Sequence, residues 1–446
     1  MADDQGWGDV GYNGHPVLKT PELDALAASG LRFDRFHAAA PVCSPTRGSV
    51  LTGRHPNRFG CFMWGYPLRP QEITLAESLK SAGYATGHFG KWHVGSVRRG
   101  SPVNPGASGF DRWVSGTNYF DNDPILSDEG TAVALKGESS MVTVDAALDF
   151  IREEAEAKRP FLAVVWFGSP HVPHRALDED RAAYADQPEH LQHLYGEITG
   201  LDRAVGKLRG EVKKLGIREN TIFWYCSDNG AFRRGGNNGG RRGYKGSIYE
   251  GGLLVPAILE WPARIPRPRA TDVPCVTSDI YPTILDIVGV ASKDQRPLDG
   301  VSLVPLIDGK NARRDKPIGF WRYPAVGIRT PNHVFMPELL AAQQAGQELG
   351  KPEQLVLDAG KIDKQYPHDR KPGHAAWLDG DWKLHRIAGR NEKDVRYELY
   401  NLADDPREQN DLLDTQPERA ERMKTELDAW LDSVTDSLNG KDYPCP

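Results

Sequence analysis

The chain has 446 residues, 39% of them hydrophobic and 26% charged, with a formal net charge of −6. That length accommodates one large domain and a smaller one, and the composition is that of an ordinary globular protein. The acidic balance argues against a general nucleic-acid binder, and no apolar run approaches the about 20 residues that span a bilayer. Five cysteines (Cys43, Cys61, Cys226, Cys275 and Cys445) are too few and too scattered for a disulfide scaffold or a zinc site, and leave room for a single bridge.

In chain order, Thr20-Pro21-Glu22 reads as a cap, a proline at the first helical position and an acidic first turn. Leu23, Leu26 and Ala27 form the apolar stripe, and Gly30 is the stop. Residues 31–36 alternate as a strand and lead to the segment holding Cys43. There Ser44 is expected to cap a helix and Pro45 to occupy its first position. Cys43 would then lie just ahead of a helix N-terminus, a place that favours an anion and lowers a thiol pKa. Taken alone, such a cysteine reads more readily as a buried structural thiol.

Residues 75–82 form a helix closed by Gly83, followed by a strand over 84–89 and then Gly90-Lys91-Trp92-His93. A helix over 142–158 stops at Pro160. The continuous apolar strand 161–167 runs into Ser169-Pro170-His171. A long amphipathic helix covers 190–215, and a second buried strand, 221–226, runs into Asp228-Asn229-Gly230. Helices alternating with apolar strands predict an α/β fold, a large mostly parallel sheet sandwiched by helices. Each polar cluster follows a strand, so the clusters converge beyond the strand ends.

After Trp321 the character changes. Residues 336–372 are polar and rich in Ala, Gln and Glu, and read as an insertion or connection. Residues 375–402 carry Trp377, Trp382, Leu384, Tyr397 and Leu399 in short runs, as in an antiparallel sheet, and 419–431 form a closing helix. The expected division is a catalytic α/β domain over 1–330 and a connecting segment with a small α+β domain over 331–446.

Pro41-Val42-Cys43-Ser44-Pro45-Thr46-Arg47-Gly48, followed by Leu51-Thr52-Gly53-Arg54, resembles the sulfatase signature. The likeness extends to Gly90-Lys91-Trp92-His93-Val94-Gly95 and to Gly243-Tyr244-Lys245-Gly246 ahead of Tyr249-Glu250-Gly251-Gly252. Gly380-Asp381-Trp382-Lys383-Leu384 with Leu399-Tyr400-Asn401-Leu402 is similar to the C-terminal domain of that family. The resemblance implies an alkaline-phosphatase-like fold and hydrolysis of a sulfate ester, with a carbohydrate as the favoured substrate class. It implies that a formylglycine-generating enzyme oxidises Cys43, and that the aldehyde hydrate attacks sulfur to give a covalent enzyme-sulfate. Asp3, Asp4, residue 43, Asp228 and Asn229 would hold Ca²⁺, with Mg²⁺ the lesser fit, although the residues alone exclude neither. Arg47 would orient residue 43, Lys91 would meet sulfate oxygens, and His93 would act as base. His171 or Lys245 would protonate the leaving oxygen.

Each residue has a plainer reading when taken alone: Asp3-Asp4 as a solvated end, Asp228-Asn229-Gly230 as a turn, His171 as structural, Lys245 as a surface charge. Their common order in one family outweighs those readings. In the family an apolar strand precedes the Asp-Asp pair, so the sequence is expected to begin late, without its first strand, and the work to be periplasmic or secreted. Residues 235–240, flanked by Arg233-Arg234 and Arg241-Arg242, look like an RNA-binding Arg/Gly segment. Their place between two site motifs argues against RNA and leaves two equal readings: a mobile loop at the pocket mouth, with arginines for a further anionic group, or a plain solvated flexible loop. Trp64, Trp113, Tyr119 and Trp321 are either sugar-stacking or core aromatics, core being favoured for most. Two other readings stand beside the sulfatase: a phosphonate or phosphodiester hydrolase of the same superfamily, and a catalytically silent binder of sulfated glycans.

Overall fold

The computed structural model describes residues 1–291, 296–310, 313–389 and 394–443. Cys43, Cys61, Cys226 and Cys275 are buried free thiols, and a bridge through Cys445 lies outside the described residues.

One half of the central sheet runs β10 (Cys275–Val276), β1 (Leu31–His37), β8 (Leu254–Glu260), β7 (Phe223–Cys226), with β9 (Arg269–Thr271) also on β1. The other half runs β5 (Thr131–Ala134), β4 (Ile125–Asp128), β3 (Arg112–Gly116), β2 (Ala85–Lys91), β6 (Phe161–Trp166). Residues 1–3 wedge between β6 and β7 and join the halves. The Met1 amine donates to Val165 O (2.8 Å), and Phe167 N donates to Met1 O (2.9 Å). Ala2 N donates to Cys226 O (2.9 Å), and Asp228 N donates to Ala2 O (3.2 Å). A stub of strand thus stands where a first strand was expected to be missing, and it ends on Asp3 and Asp4.

The α/β class is as expected, but the sheet is mixed. β2, β3 and β6 run parallel, whereas β8 is antiparallel to β1 and β7, and β4 and β5 form a hairpin. Strand β8 is buried along its whole length. Its Val255, Ala257 and Leu259 join one core and Ile258 the other, the alternation a doubly covered strand requires. Pro256 gives β8 no ladder donor, and its partner β1 shifts register between Phe33 and Phe36 across from it.

Helices α1 (Pro21–Ala27), α4 (Ser139–Glu156) and α6 (Glu189–Lys214) supply Leu23, Leu148 and Leu201 to one core. Helices α2 (Cys43–Thr52), α3 (Leu75–Lys80), α9 (Val304–Ile307) and α10 (Asn332–Gln344) supply Leu51, Ala76, Ile307 and Leu339 to the other. Each of these leucines and Ile307 contributes about 1.5–3 kcal/mol on burial. α8 (Ile280–Val288) packs Tyr281 and Leu285 on α3, and α5 (Asp178–Arg181) and α7 (Glu250–Leu253) are single turns.

Several boundaries differ from the sequence reading for local reasons. α4 starts at Ser139, not 142, because the Glu138 carboxylate accepts from Ser140 N (3.0 Å) and Met141 N (2.9 Å). α2 starts at Cys43 with Val42 as its cap, because the Ser44 hydroxyl accepts from Gly65 N (2.7 Å) instead of capping the helix. The stretch expected as a connection holds most of α10, whose Gln343 bonds Ala132 N (2.8 Å) and Gly130 O (2.9 Å).

A separate antiparallel sheet runs β11 (Ile318–Arg322), β12 (Gly373–Asp379), β13 (Trp382–Ala388), β14 (Arg396–Asn401). One face packs Trp377 and Leu399 on Leu427 and Trp430 of α11 (Pro417–Leu438). The other packs Phe320, Ala376 and Tyr400 on Ala39, Ile248 and Leu253, next to the polar loops of the main sheet.

Candidate active site

The polar clusters meet at the carboxyl end of the parallel strands. Lys91 closes β2 and Asp228 follows β7, while α2 presents Cys43 at its first turn, where free backbone N–H groups favour an anion. Gly90 precedes Lys91 with φ 99°, and a Cβ there would lie 1.9 Å from Trp166 O. Gly230 is equally confined, 2.3 Å from Gly251 O by the same measure.

Ligand atoms of Asp3, Cys43 and Asp228 lie within 4.8 Å of one another, as do those of Asp3, Asp4 and His171. Arg47 reaches Asp228 Oδ2 with Nε (3.1 Å) and Nη2 (2.8 Å) and Lys91 O with Nη1 (3.0 Å). Its guanidinium lies over Trp166, 5.1 Å from the ring centroid, and it is fully buried. Lys91 Nζ donates to Asp3 Oδ2 (2.6 Å), Lys245 Nζ to Asp4 Oδ2 (2.7 Å) and Asn229 Nδ2 to Asp4 Oδ1 (2.9 Å). Asp3 Oδ1 and Asn229 Oδ1 are buried without any hydrogen bond. Unpartnered buried oxygens are costly, and two beside three carboxylates fit a hard cation that takes six to eight oxygens. Burial pushes Asp3 up to about 7 even with Lys91 beside it, which is the state a cation would reverse.

His93 is 2% exposed, and neither ring nitrogen has a hydrogen-bond partner. Burial, with Lys91 and Arg47 nearby, holds its imidazole well below its ordinary range, so it is neutral and able to accept a proton. His93 (φ 56°) and Asp4 (φ 68°) both adopt left-handed backbone, a strain that collects at functional positions. His171 Nδ1 donates to Val172 O (2.6 Å), which leaves Nε2 bare, 3.7 Å from Asp4 Oδ2. Burial, with Lys245 close by, holds His171 well below its ordinary range as well. Against the penalty of burial, the Asp4 carboxylate raises Lys245 above its ordinary range, so Lys245 carries the proton.

All the residues singled out in sequence, Cys43, Arg47, Lys91, His93, His171, Lys245, Asp3, Asp4, Asp228 and Asn229, therefore gather at one end of the sheet. One electrostatic expectation fails. Burial raises the Cys43 thiol, despite Lys91 and Lys245, where a lowered thiol was expected. The sequence reading passed over Trp166 under Arg47 and weighed Tyr119 as a sugar-stacking or a core aromatic, without a link to His171. The Tyr119 ring lies parallel to His171, 4.2 Å away at 16°. Trp113 and Trp321 are core residues, 4% and 3% exposed, and Trp64 is half-buried over Gly327. The Arg/Gly loop is fastened where mobility was expected: Asn237 N donates to Asp9 Oδ1 (2.9 Å) and Gly8 N to Asn237 O (2.9 Å). Arg241 stacks on Trp7 and Arg242 on Tyr249, 3.9 and 3.7 Å from the ring centroids.

Comparison with known proteins gives this arrangement a class. The family model described as Sulfatase matches residues 1–290. The chain is 35% identical over 364 residues to N-acetylgalactosamine-6-sulfatase of Canis lupus familiaris, covering 72% of this chain and 67% of that protein. It is 28% identical over 505 aligned positions to arylsulfatase G of Rattus norvegicus, with 99% and 88% covered. The solved structure of Ps i-CgsB in complex with k-i-k-neocarrahexaose superimposes with a TM-score of 0.81 at 24% identity, over 99% of this chain and 93% of that one, and shows the same fold. The chain belongs to the sulfatase family. It is a sulfuric ester hydrolase of alkaline-phosphatase-like architecture. Among the described residues no helix is long and apolar enough to cross a membrane.

Proposed function

We propose that the protein hydrolyses the sulfate ester of a sulfated carbohydrate, with residue 43 oxidised to formylglycine and Ca²⁺ held by Asp3, Asp4, Asp228, Asn229 and the modified residue 43. The observation that carries this reading is the pair of buried, unpartnered oxygens, Asp3 Oδ1 and Asn229 Oδ1, beside Cys43. An all-oxygen set with three carboxylates suits Ca²⁺ better than Mg²⁺, which keeps several waters. Carbohydrate is favoured by the name of the N-acetylgalactosamine-6-sulfatase and by the oligosaccharide solved with Ps i-CgsB. Maturation by a formylglycine-generating enzyme, and work in a periplasmic or secreted setting, belong to the same proposal.

The cation supplies charge neutralisation at sulfate oxygens, and the formylglycine hydrate supplies a nucleophilic hydroxyl. The chain's own residues do the rest. Lys91 and Lys245 place ammonium groups against the two paired carboxylates and face the bound anion, so negative charge developing in the transition state meets fixed positive charge. Arg47 fixes Asp228 and the Lys91 backbone and does not reach substrate. Lys245 Nζ delivers the proton to the leaving oxygen, and His171 Nε2, its ring held by Tyr119 and Val172 O, accepts a hydrogen bond from the alcohol that this proton completes. Neutral His93 removes a proton from the residue-43 hydroxyl when sulfate departs.

Mass spectrometry of the tryptic peptide holding residue 43, from protein made with a formylglycine-generating enzyme, tests the modification. Rates on 4-nitrophenyl sulfate and phenyl phosphonate test the reaction. An aldehyde mass with faster sulfate cleavage supports the proposal. Faster phosphonate cleavage transfers the assignment to a phosphonate hydrolase. An intact thiol with no turnover, from a host that converts other sulfatases, leaves the silent glycan binder.

A further inference from the structure

The rim of loops around Lys245 carries positive charge that, among the described residues, no carboxylate takes up. Arg233 and Arg234 are exposed on the loop between Asn229 and Lys245. The Arg233 guanidinium lies 5.8 Å from the ring centroid of Tyr244, the residue before Lys245. Other arginines of this rim are engaged: Arg175 with Asp121 (3.4 Å), Arg181 with Asp178 (3.1 Å), Arg242 with Glu398 (3.3 Å). Among the described residues neither Arg233 nor Arg234 has an acidic partner.

The loop that bears them is held in place. Lys245 N donates to Ala231 O (2.9 Å), and Gly236 N donates to Phe232 O (3.1 Å). Gly235 abuts α6, where an added Cβ would come within 2.9 Å of Leu191 and 3.1 Å of Leu194. The backbone that carries two guanidinium forks is therefore held beside Lys245, in a protein of net charge −6 and next to the proposed sulfate site. A guanidinium fork matches the paired oxygens of sulfate and carboxylate, and its charge is permanent.

We infer that Arg233 and Arg234 form a second oxyanion subsite beside Lys245. The substrate then carries at least two anionic groups: the ester that is cleaved, and another sulfate or carboxylate held by this pair. This rests on the sulfatase reading above and narrows it to a polyanionic glycan.

The test uses full-length protein, a dextran sulfate oligomer that presents sulfates at many spacings, and inorganic sulfate as the single anion. Calorimetric affinities are compared for the native chain, R233Q/R234Q, R233K/R234K and K213Q/K214Q. The last removes equal charge at the far end of α6. The expected result is a roughly tenfold loss of dextran sulfate affinity in R233Q/R234Q alone, partly restored by lysine. Inorganic sulfate affinity and 4-nitrophenyl sulfate turnover stay unchanged. The inference is overturned if dextran sulfate binds the native chain no more tightly than inorganic sulfate, or if both probes lose equally. It is also overturned if K213Q/K214Q loses as much. Should 4-nitrophenyl sulfate not be turned over while the affinities still separate the variants, the sulfatase reading fails and the subsite stands.

Discussion

Three carboxylates, Asp3, Asp4 and Asp228, face the three cations Lys91, Lys245 and Arg47, and Asp3 Oδ1 makes no hydrogen bond. Removing a divalent cation from this cluster should lower the melting temperature. A ligand at one hundred times its Kd stabilises a protein by about 2.7 kcal/mol. Scanning fluorimetry with and without chelator is expected to show that drop in the native chain and a much smaller one in D228N, and equal drops would sink the site. Much of this cluster was readable in the sequence, because the motifs join residue type to spacing: Cys43 with Arg47, Lys91 with His93, Asp228 with Asn229. Tyr119 and Trp166 were not readable. An aromatic residue has the same identity whether it fills a core or steadies a catalytic ring, and only the stacking on His171 and the cation above Trp166 tell the roles apart.

At the scale of elements, the small sheet reaches the catalytic loops through buried charge. From β13, Lys383 Nζ donates to Glu250 Oε1 (2.7 Å) and Ile248 O (2.9 Å), and Glu408 Oε2 accepts from Glu250 N (2.7 Å). Glu250 opens α7, whose Gly252 O accepts from Gly230 N (3.0 Å), and in the loop before it Gly246 N donates to Pro41 O (2.8 Å). Lys383→Met is therefore expected to cut kcat on 4-nitrophenyl sulfate about tenfold with little change in KM, and Lys383→Arg to recover part of it. A loss confined to thermal stability would refute that coupling. Burial pushes Glu408 up to about 7, above its ordinary 4.5, so the folded chain binds the extra proton. Its contribution to stability is full below pH about 4.5 and is lost as pH rises through about 7. Asp9 and Asp202 are raised by burial in the same way, so the informative quantity is the difference between E408Q and the native chain. The native chain should lose melting temperature relative to E408Q from pH 5 to 8, and a flat difference would contradict it. Long periodic helices and the apolar strands at 161–167 and 221–226 were legible to within a few residues. β8 was not, because Pro256 breaks its pattern, and the start of α4 was not, because Glu138 is an unusual cap.

As a whole molecule, the two sheets share packing. Phe320 and Tyr400 of the small sheet are sealed against Ile248 and Leu253, before and in α7, which leads into β8 of the large one, and Arg58 joins α11 through Ser433 O (3.0 Å). Scanning calorimetry should show one cooperative transition, and two resolved transitions would contradict this coupling. The halves of the large sheet are joined by residues 1–3, which place the first two metal carboxylates at the seam. The same packing leaves Cys43 only 1% exposed, at the first turn of α2. On the proposed chemistry this sets an order of events in time. An enzyme that oxidises residue 43 has to engage a segment that is buried from Cys43 to Thr52 in the folded chain, so it is expected to act before folding is complete.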